Sequence, residues 1–275
     1  MPLLLALKHK TSIPLEVDGI RLETVRGQTV DEIRNTPVQY GNKQPALGDF
    51  FDVSGSAADD NEVIWEGDCS QVKMIGTCLQ AGKMIVRGNA GMHLGAEMLG
   101  GEIEVHGNAA DWVGAEMHGG RIRVHGNAGH LVGAVYRGGR RGMTGGEIII
   151  DGDAGNELGH TMRRGLIAIG GKSGDAAGFS MIPGTLLLFG AAGIRPGAGM
   201  RRGTICFLGT DPPPPMLPTF KHACVYQPAF LRIYLLHLRK LGLDVPDACL
   251  DAAFHRYNGD FLEYGKGEIL VRAVA

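Results

Sequence analysis

Glycine recurs at a fixed period of 19 residues through the middle of this 275-residue chain. Six consecutive repeats, from Lys83 to Gly203, carry glycine, two other residues, glycine, three other residues and a third glycine, with alanine once at the second position. The first glycines of these six repeats, and of a partial seventh that begins at Thr204, are Gly88, Gly107, Gly126, Gly152, Gly171, Gly190 and Gly209. One step is 26 residues instead of 19, which indicates an insertion after Gly139. So short and regular a repeat is typical of a solenoid, in which each repeat contacts only its neighbours.

Each repeat opens with alternating apolar residues, as at Ile103 and Val105 or Ile122 and Val124. This alternation indicates a strand with one buried face, and β-branched residues suit such a surface. Nineteen residues are too few for a helical crossover, so we expect each strand to pair in parallel with the same strand one turn on. The predicted fold is all-β, a single-stranded right-handed parallel β-helix of about 7–8 coils with a mixed N-terminal cap and two C-terminal helices.

Equivalent positions in stacked coils should be chemically alike. One such column contains methionine, with Tyr136 in line: Met98, Met117, Met162, Met181 and Met200. Inward packing explains this column better than a soft copper site, because methionine fills irregular interior space. A second column holds Asn89, Asn108 and Asn127 with Asp153 beneath, which we interpret as a structural ladder.

The repeat divides the chain into three predicted parts. The β-helix solenoid spans 62–211 and follows an N-terminal cap at 1–61, which contains a strand-like segment at Ile13–Val17 and a helix at Thr29–Arg34. A capping and partner-docking segment at 212–275 contains two predicted helices, Pro228–Leu241 and Pro246–Tyr257. Pro246 suits the first turn of a helix.

Composition excludes several classes of function. A formal net charge of −2 gives no general attraction to nucleic acid or anionic membranes. No apolar stretch is long enough to cross a bilayer, and the N-terminus lacks the order of a secretory signal. The five cysteines lie far apart without a metal or disulfide spacing, so we expect reduced thiols in a cytoplasmic protein. The common hydrolase and nucleotide-binding motifs are absent, and we interpret His106 and His125 as a solvated pair rather than a metal site.

Arginine is concentrated near the ends of the repeats. Stacking and the insertion should gather seven arginines along one edge: Arg137, Arg140, Arg141, Arg163, Arg164, Arg201 and Arg202. One interpretation is a solvated basic edge that aids solubility. The other is a ligand-binding track for an anion or an acidic partner surface, because guanidinium groups bind carboxylates through paired hydrogen bonds.

The glycine repeat resembles the C-terminal β-helix domain of the glutamate synthase large subunit. Three further segments narrow the resemblance: the N-terminal TVDEIRNTPVQYGNKQPALGDFFDVSG, the inserted RRGMTGG and the tail RYNGDFLEYGKGEILV. Together they are similar to the C subunit of formylmethanofuran dehydrogenase and to its counterpart in the formyltransferase/hydrolase complex of methylotrophic bacteria. The resemblance covers nearly the whole chain.

This resemblance implies a non-catalytic assembly subunit of a cytoplasmic one-carbon complex. Such a complex passes formyl groups between a tetrahydromethanopterin-type and a methanofuran-type carrier and releases formate. The implied partners are a zinc amidohydrolase-like subunit, a formyltransferase subunit and a pterin-enzyme-like subunit. Zinc would belong to the amidohydrolase-like partner, and no cofactor is expected on this chain alone. The γ-glutamyl tail of the carrier is a candidate ligand for the seven arginines.

Two other classes of function remain open at the level of sequence. A stand-alone β-helix enzyme, such as a lyase or an acyltransferase, would need a catalytic cluster, and no acidic cluster is evident. A linker domain like that of glutamate synthase would need the rest of the synthase. The residues also leave open whether the host complex is the redox version or the hydrolytic version.

Overall fold

The structure is a computed structural model and describes residues 1–273. The N-terminal part contains β1 (Leu3–Leu7), β2 (Leu15–Glu16), α1 (Leu22–Val25), α2 (Val30–Arg34), β3 (Gln39–Tyr40), β4 (Phe51–Ser54), β5 (Glu62–Glu66) and β6 (Val72–Lys73). The repeats supply β7 (Lys83–Arg87), β8 (Glu102–Val105), β9 (Arg121–Val124), β10 (Glu147–Ile150), β11 (Leu166–Ile169), β12 (Thr185–Leu188) and β13 (Arg202–Phe207). The chain continues through β14 (Lys221–Tyr226), α3 (Ala229–Lys240), β15 (Phe254–Gly259) and β16 (Lys266–Arg272).

Most strands belong to one large, mainly parallel sheet. Its order is β14-β15-β16-β13-β12-β11-β10-β9-β8-β7-β5-β1-β4, and β3, β2 and β6 form a small second sheet. From β7 to β13 each residue lies opposite the residue 19 positions on, as Lys83 lies opposite Glu102. Across the insertion the offset is 26, and Arg121 lies opposite Glu147. The predicted all-β fold and its parallel strand register are therefore confirmed.

Apolar columns fill the space beneath the strands. The second inward-facing position of the repeat strands is fully buried: Val86, Val105, Val124, Ile150, Ile169 and Leu188. A second line of parallel bridges joins Ala90, Ala109, Ala128, Ala154, Ser173 and Ala192 on a different side of each repeat. The methionine column is also fully buried, which confirms that it packs the interior.

The insertion lies at a different place from the one predicted. Met143, not Tyr136, occupies the methionine column: it is fully buried, and its N–H donates to the carbonyl of Gly133 at 2.9 Å. Tyr136 lies outside this column, where its hydroxyl is 2.9 Å from His93 Nδ1 and its ring is near Trp112. The seven extra residues are therefore 136–142. The flexible thioether fills the interior column, whereas the tyrosine takes a half-buried position in which its hydroxyl has a polar neighbour.

Of the three helices predicted near the chain ends, the structure contains two. The helix expected at Thr29–Arg34 is α2, where Thr29 and Glu32 form a capping box. The helix expected at Pro228–Leu241 is α3, which packs Leu231, Leu235 and Leu238 on the outer face of the large sheet. The helix expected at Pro246–Tyr257 is wrong: it is one 3-10 turn, Asp247–Cys249, followed by β15. Pairing of β15 with both β14 and β16 overrides its local helical pattern.

The asparagine column is a hydrogen-bonded ladder, as predicted. Asn89 Oδ1 accepts the backbone N–H of Asn108 at 2.9 Å, and Asn108 Oδ1 accepts that of Asn127 at 2.8 Å. Asn127 Oδ1 in turn accepts the N–H of Asp153 at 2.8 Å. The side chains thus satisfy donors that no strand pairs, one coil after another.

Replacing Asn108 by alanine is expected to lower the free energy of unfolding by about 1 kcal/mol, because the N–H of Asn127 loses its acceptor. Asn108→Asp is the matched control and should lose less, since Asp153 serves the same role further along the ladder. Equilibrium denaturation measures both variants. Equal losses in the two would show that the hydrogen bond contributes nothing specific.

Candidate anion-binding site

Four of the seven predicted arginines line one cavity of about 540 Å³. Arg140 and Arg141 reach it from the inserted segment, and Arg163 and Arg164 from the turn that precedes β11. Glu116, His118 and Thr144 complete the lining, and His118 Nδ1 lies 2.7 Å from Thr144 Oγ1. The insertion therefore brings together two arginine pairs that lie 22 to 24 residues apart in sequence.

A second cavity of about 500 Å³ continues from the first, since Arg163 and Arg164 line both. It adds Arg202 from β13, Arg256 from β15 and Lys266 from β16. We call the five predicted residues in these two cavities the arginine track: Arg140, Arg141, Arg163, Arg164 and Arg202. Arg256 and Lys266 were missed in the sequence because they lie beyond the repeat, where the 19-residue period gives no position for them.

Two predicted arginines lie outside the track. Arg137 lines a separate cavity of about 370 Å³ with Trp112, Tyr136 and His160. Its expected place in the column before Arg163 belongs to Thr144, because the insertion begins at 136. Arg201 forms an ion pair with Glu263, with Nε and Oε2 3.1 Å apart. The acidic partner comes from the loop between β15 and β16, which the repeat could not predict.

The arginine track carries an excess of positive charge. Within residues 1–273 none of its five guanidinium groups lies within 4.0 Å of a carboxylate oxygen. The one carboxylate in the first cavity, Glu116, accepts the backbone N–H of Tyr136 at 3.0 Å and so holds the insertion in place. Unpaired guanidinium groups that converge on a cavity suit a ligand with several carboxylates or phosphates.

The histidine pair belongs to a different, structural network. The rings of His106 and His125 lie 5.6 Å apart, but His125 is not simply solvated. Its Nδ1 lies 2.8 Å from Asp151 Oδ2 and its Nε2 lies 3.1 Å from Glu104 Oε1. In the described part of the chain no group of three or more histidine, cysteine or acidic side chains is placed to hold a metal ion. This network stabilises the outer face on which α3 docks.

Glu104 makes stability depend on pH in this network. A hydrogen bond from Lys83 at 2.7 Å, reinforced by His125, lowers the pKa of Glu104 from 4.5 to about 2 despite partial burial. Because the pKa of Glu104 is lower in the folded state than in the unfolded state, its charged form stabilises the fold at pH values above about 4.5. That contribution is lost as the pH falls from about 4.5 toward 2. The stability advantage of the native chain over Glu104→Gln should shrink across this range. Denaturation midpoints at each pH test this, and a constant difference would contradict it.

The glycine repeat lies in the part of the chain that matches a known family model. A family model, the GXGXG motif, matches residues 70–213, which is more than half of the chain. The C subunit of tungsten-containing formylmethanofuran dehydrogenase 2 from Methanothermobacter wolfeii is 41% identical over 97 residues, or 34% of this chain and 36% of that protein. The C subunit of molybdenum-containing formylmethanofuran dehydrogenase 1 from Methanothermobacter marburgensis is 44% identical over 95 residues, or 34% of this chain and 24% of that protein.

A solved structure extends the match to nearly the whole chain. A chain in the crystal structure of the formyltransferase/hydrolase complex from Methylorubrum extorquens, in complex with methylofuran, has 30% identity and a TM-score of 0.90. The match covers 98% of this chain and 100% of that one. The chain belongs to the family of formylmethanofuran dehydrogenase C subunits.

The matches that show this family differ in how much of each protein they cover. The chain spans about a third or less of the length of the curated relatives named above, whereas the match to the Methylorubrum chain runs end to end. Among the described residues no helix is long and apolar enough to cross a membrane.

Proposed function

We propose that this chain is the non-catalytic assembly subunit of a formyltransferase/hydrolase complex like that of Methylorubrum extorquens. Such a complex passes formyl groups between a tetrahydromethanopterin-type and a methanofuran-type carrier and releases formate. The observation that supports this proposal best is the end-to-end match to a chain of that complex. The two chains have a TM-score of 0.90 and are 30% identical in sequence. We place the complex in the cytoplasm.

The proposal assigns the chain a framework role. Its 62–211 segment would form a right-handed parallel β-helix of about 7–8 coils, with 1–61 as the N-terminal cap and 212–275 as the segment that docks partners. The partners would be a zinc amidohydrolase-like, a formyltransferase and a pterin-enzyme-like subunit. Zinc would lie in the amidohydrolase-like subunit, where it would supply Lewis-acid chemistry.

The arginine track would contact the polyglutamyl tail of the methanofuran-type carrier. Carboxylates along such a tail match the unpaired guanidinium groups of Arg140, Arg141 and Arg163 in charge and hydrogen-bonding geometry. Two cavities that share Arg163 and Arg164 suit an extended anion better than a compact one.

Native purification followed by mass spectrometry of co-eluting chains tests the assembly role. We expect this chain to elute with an amidohydrolase-like and a formyltransferase subunit in a fixed ratio, and formyl transfer to require the assembled complex. A monomer that turns over substrate alone would overturn the assignment.

A further inference from the structure

The large sheet ends in an unusually exposed strand, β14. It is the last strand in the sheet order and pairs only with β15 within residues 1–273. Lys221, His222, Ala223, Cys224 and Val225 are all exposed, and only Tyr226 is partly covered. Both faces of the strand and one edge of its backbone are therefore open to solvent.

The opposite end of the same sheet is protected. There β4 alternates buried and exposed residues, and α2 packs against it. Arg34 Nη2 donates a hydrogen bond to the carbonyl of Val53 in β4 at 3.1 Å. The protein thus covers one sheet edge with a helix and a side chain, the usual means of preventing strand addition, and leaves the other free.

The free edge has a distinct chemistry. The outer two strands read KHACVY and FHRYNG, and neither contains an aspartate or a glutamate. His222 Nε2 lies 3.3 Å from His255 Nδ1, and Lys221 extends the basic surface. Val225, at 50% exposure, lies opposite His255 and offers an apolar contact beside these basic groups.

We propose that β14 is a docking edge for an extended, acidic segment of a partner subunit, which adds to the sheet as a further strand. Backbone hydrogen bonds would supply affinity, while carboxylates facing Lys221, His222 and His255 would supply specificity. A second copy of this chain fits less well, because it would place two strands without carboxylates side by side. The inference rests on the proposed function, since it requires a partner subunit.

Cys224 is a native probe of this edge. It is the exposed thiol of the five, whereas Cys78 is partly buried and the others are fully buried: Cys69, Cys206 and Cys249. Alkylation of Cys224 should be at least about 10-fold slower in the assembled complex than in the isolated full chain, and the β14 amides should gain protection from hydrogen exchange. A complex in which Cys224 reacts as fast as in the isolated chain overturns the inference alone. Failure to recover any partner chain overturns both the inference and the proposed function.

Charge reversal separates an acidic partner from a second copy. Lys221→Glu combined with His222→Glu should weaken assembly by at least about 10-fold, with a smaller deficit at high salt. Lys172→Glu, at an exposed position on a repeat turn outside β14, is the control for the general effect of added negative charge and should assemble normally. Assembly unaffected by the double change, or protection of Cys224 that rises with the concentration of the isolated chain, would contradict an acidic partner.

Discussion

Replacing Gly120 by alanine is expected to destabilise the protein by about 3–5 kcal/mol. Gly120 has a φ of +86°, and a Cβ there would lie 2.7 Å from the carbonyl oxygen of Gly101 and 2.8 Å from the carbonyl carbon of Gly100. Both atoms belong to the backbone of the preceding coil, which is fixed by the parallel ladder between β8 and β9. The new methyl group therefore cannot be accommodated by a side-chain rotation.

Gly138 provides a matched control with nearly the same backbone conformation. Its φ is +85°, but nothing lies within 4 Å of an added Cβ. Gly138→Ala should therefore cost only the conformational strain, about 1 kcal/mol. Equilibrium denaturation of both variants gives the difference. Similar losses at the two positions would mean that close approach between coils does not determine where this repeat needs glycine.

The sequence could predict the strand register because every coil repeats the same local structure. Ile103 and Ile122 face inward for the same reason, and the period of 19 follows from one turn of the chain. The repeat alone does not show why each of its glycines is needed. Gly107 does not need a left-handed conformation; instead, an added Cβ would lie 2.6 Å from the carbonyl oxygen of Gly88. Only the packing of one coil on the next reveals that constraint.

Where the period breaks, local sequence was a poor guide. Glycine pairs occur at both Gly138–Gly139 and Gly145–Gly146, so the repeat pattern alone could not decide which pair ends the coil. Burial of Met143 decides it, and that is a long-range property. The same holds for β15. Its residues pair with β14 residues that lie 28 to 37 positions earlier in the sequence, and its other partner, β16, follows it after a short loop.

The sequence predicted the candidate site only as a group of arginines along one edge. Stacking predicts that Arg163 and Arg202 lie two coils apart along one edge, but the second cavity, which both of them line, also depends on Arg256 and Lys266 from the C-terminal strands. The pairing of Arg201 with Glu263 likewise joins the repeat to a loop outside it. Contacts between unrelated segments decide which arginines remain unpaired, and a one-dimensional period contains no information about them.

Reversing both charges shared by the two cavities should have the largest effect on ligand binding. Arg163→Glu combined with Arg164→Glu is expected to weaken binding of a methanofuran-type carrier to the assembled complex by about 100-fold. This corresponds to about 1.4 kcal/mol for each charge-assisted contact, near the lower end of values for hydrogen bonds to charged groups. Isothermal titration of the complex with the carrier measures the loss.

Two control measurements distinguish binding of the carrier to the arginine track from a general electrostatic attraction between carrier and protein. Arg137→Glu makes half of that charge change, in a separate cavity, and should alter affinity by less than about 3-fold, since it acts only through screened, long-range charge. The double variant should also show a weaker dependence of affinity on salt, because two of the contacts that salt screens are gone. If the double variant assembles and binds the carrier with native affinity, the arginines form a solvated basic edge. If Arg137→Glu is as damaging as the double variant, the carrier responds to overall charge and the two joined cavities do not define its path.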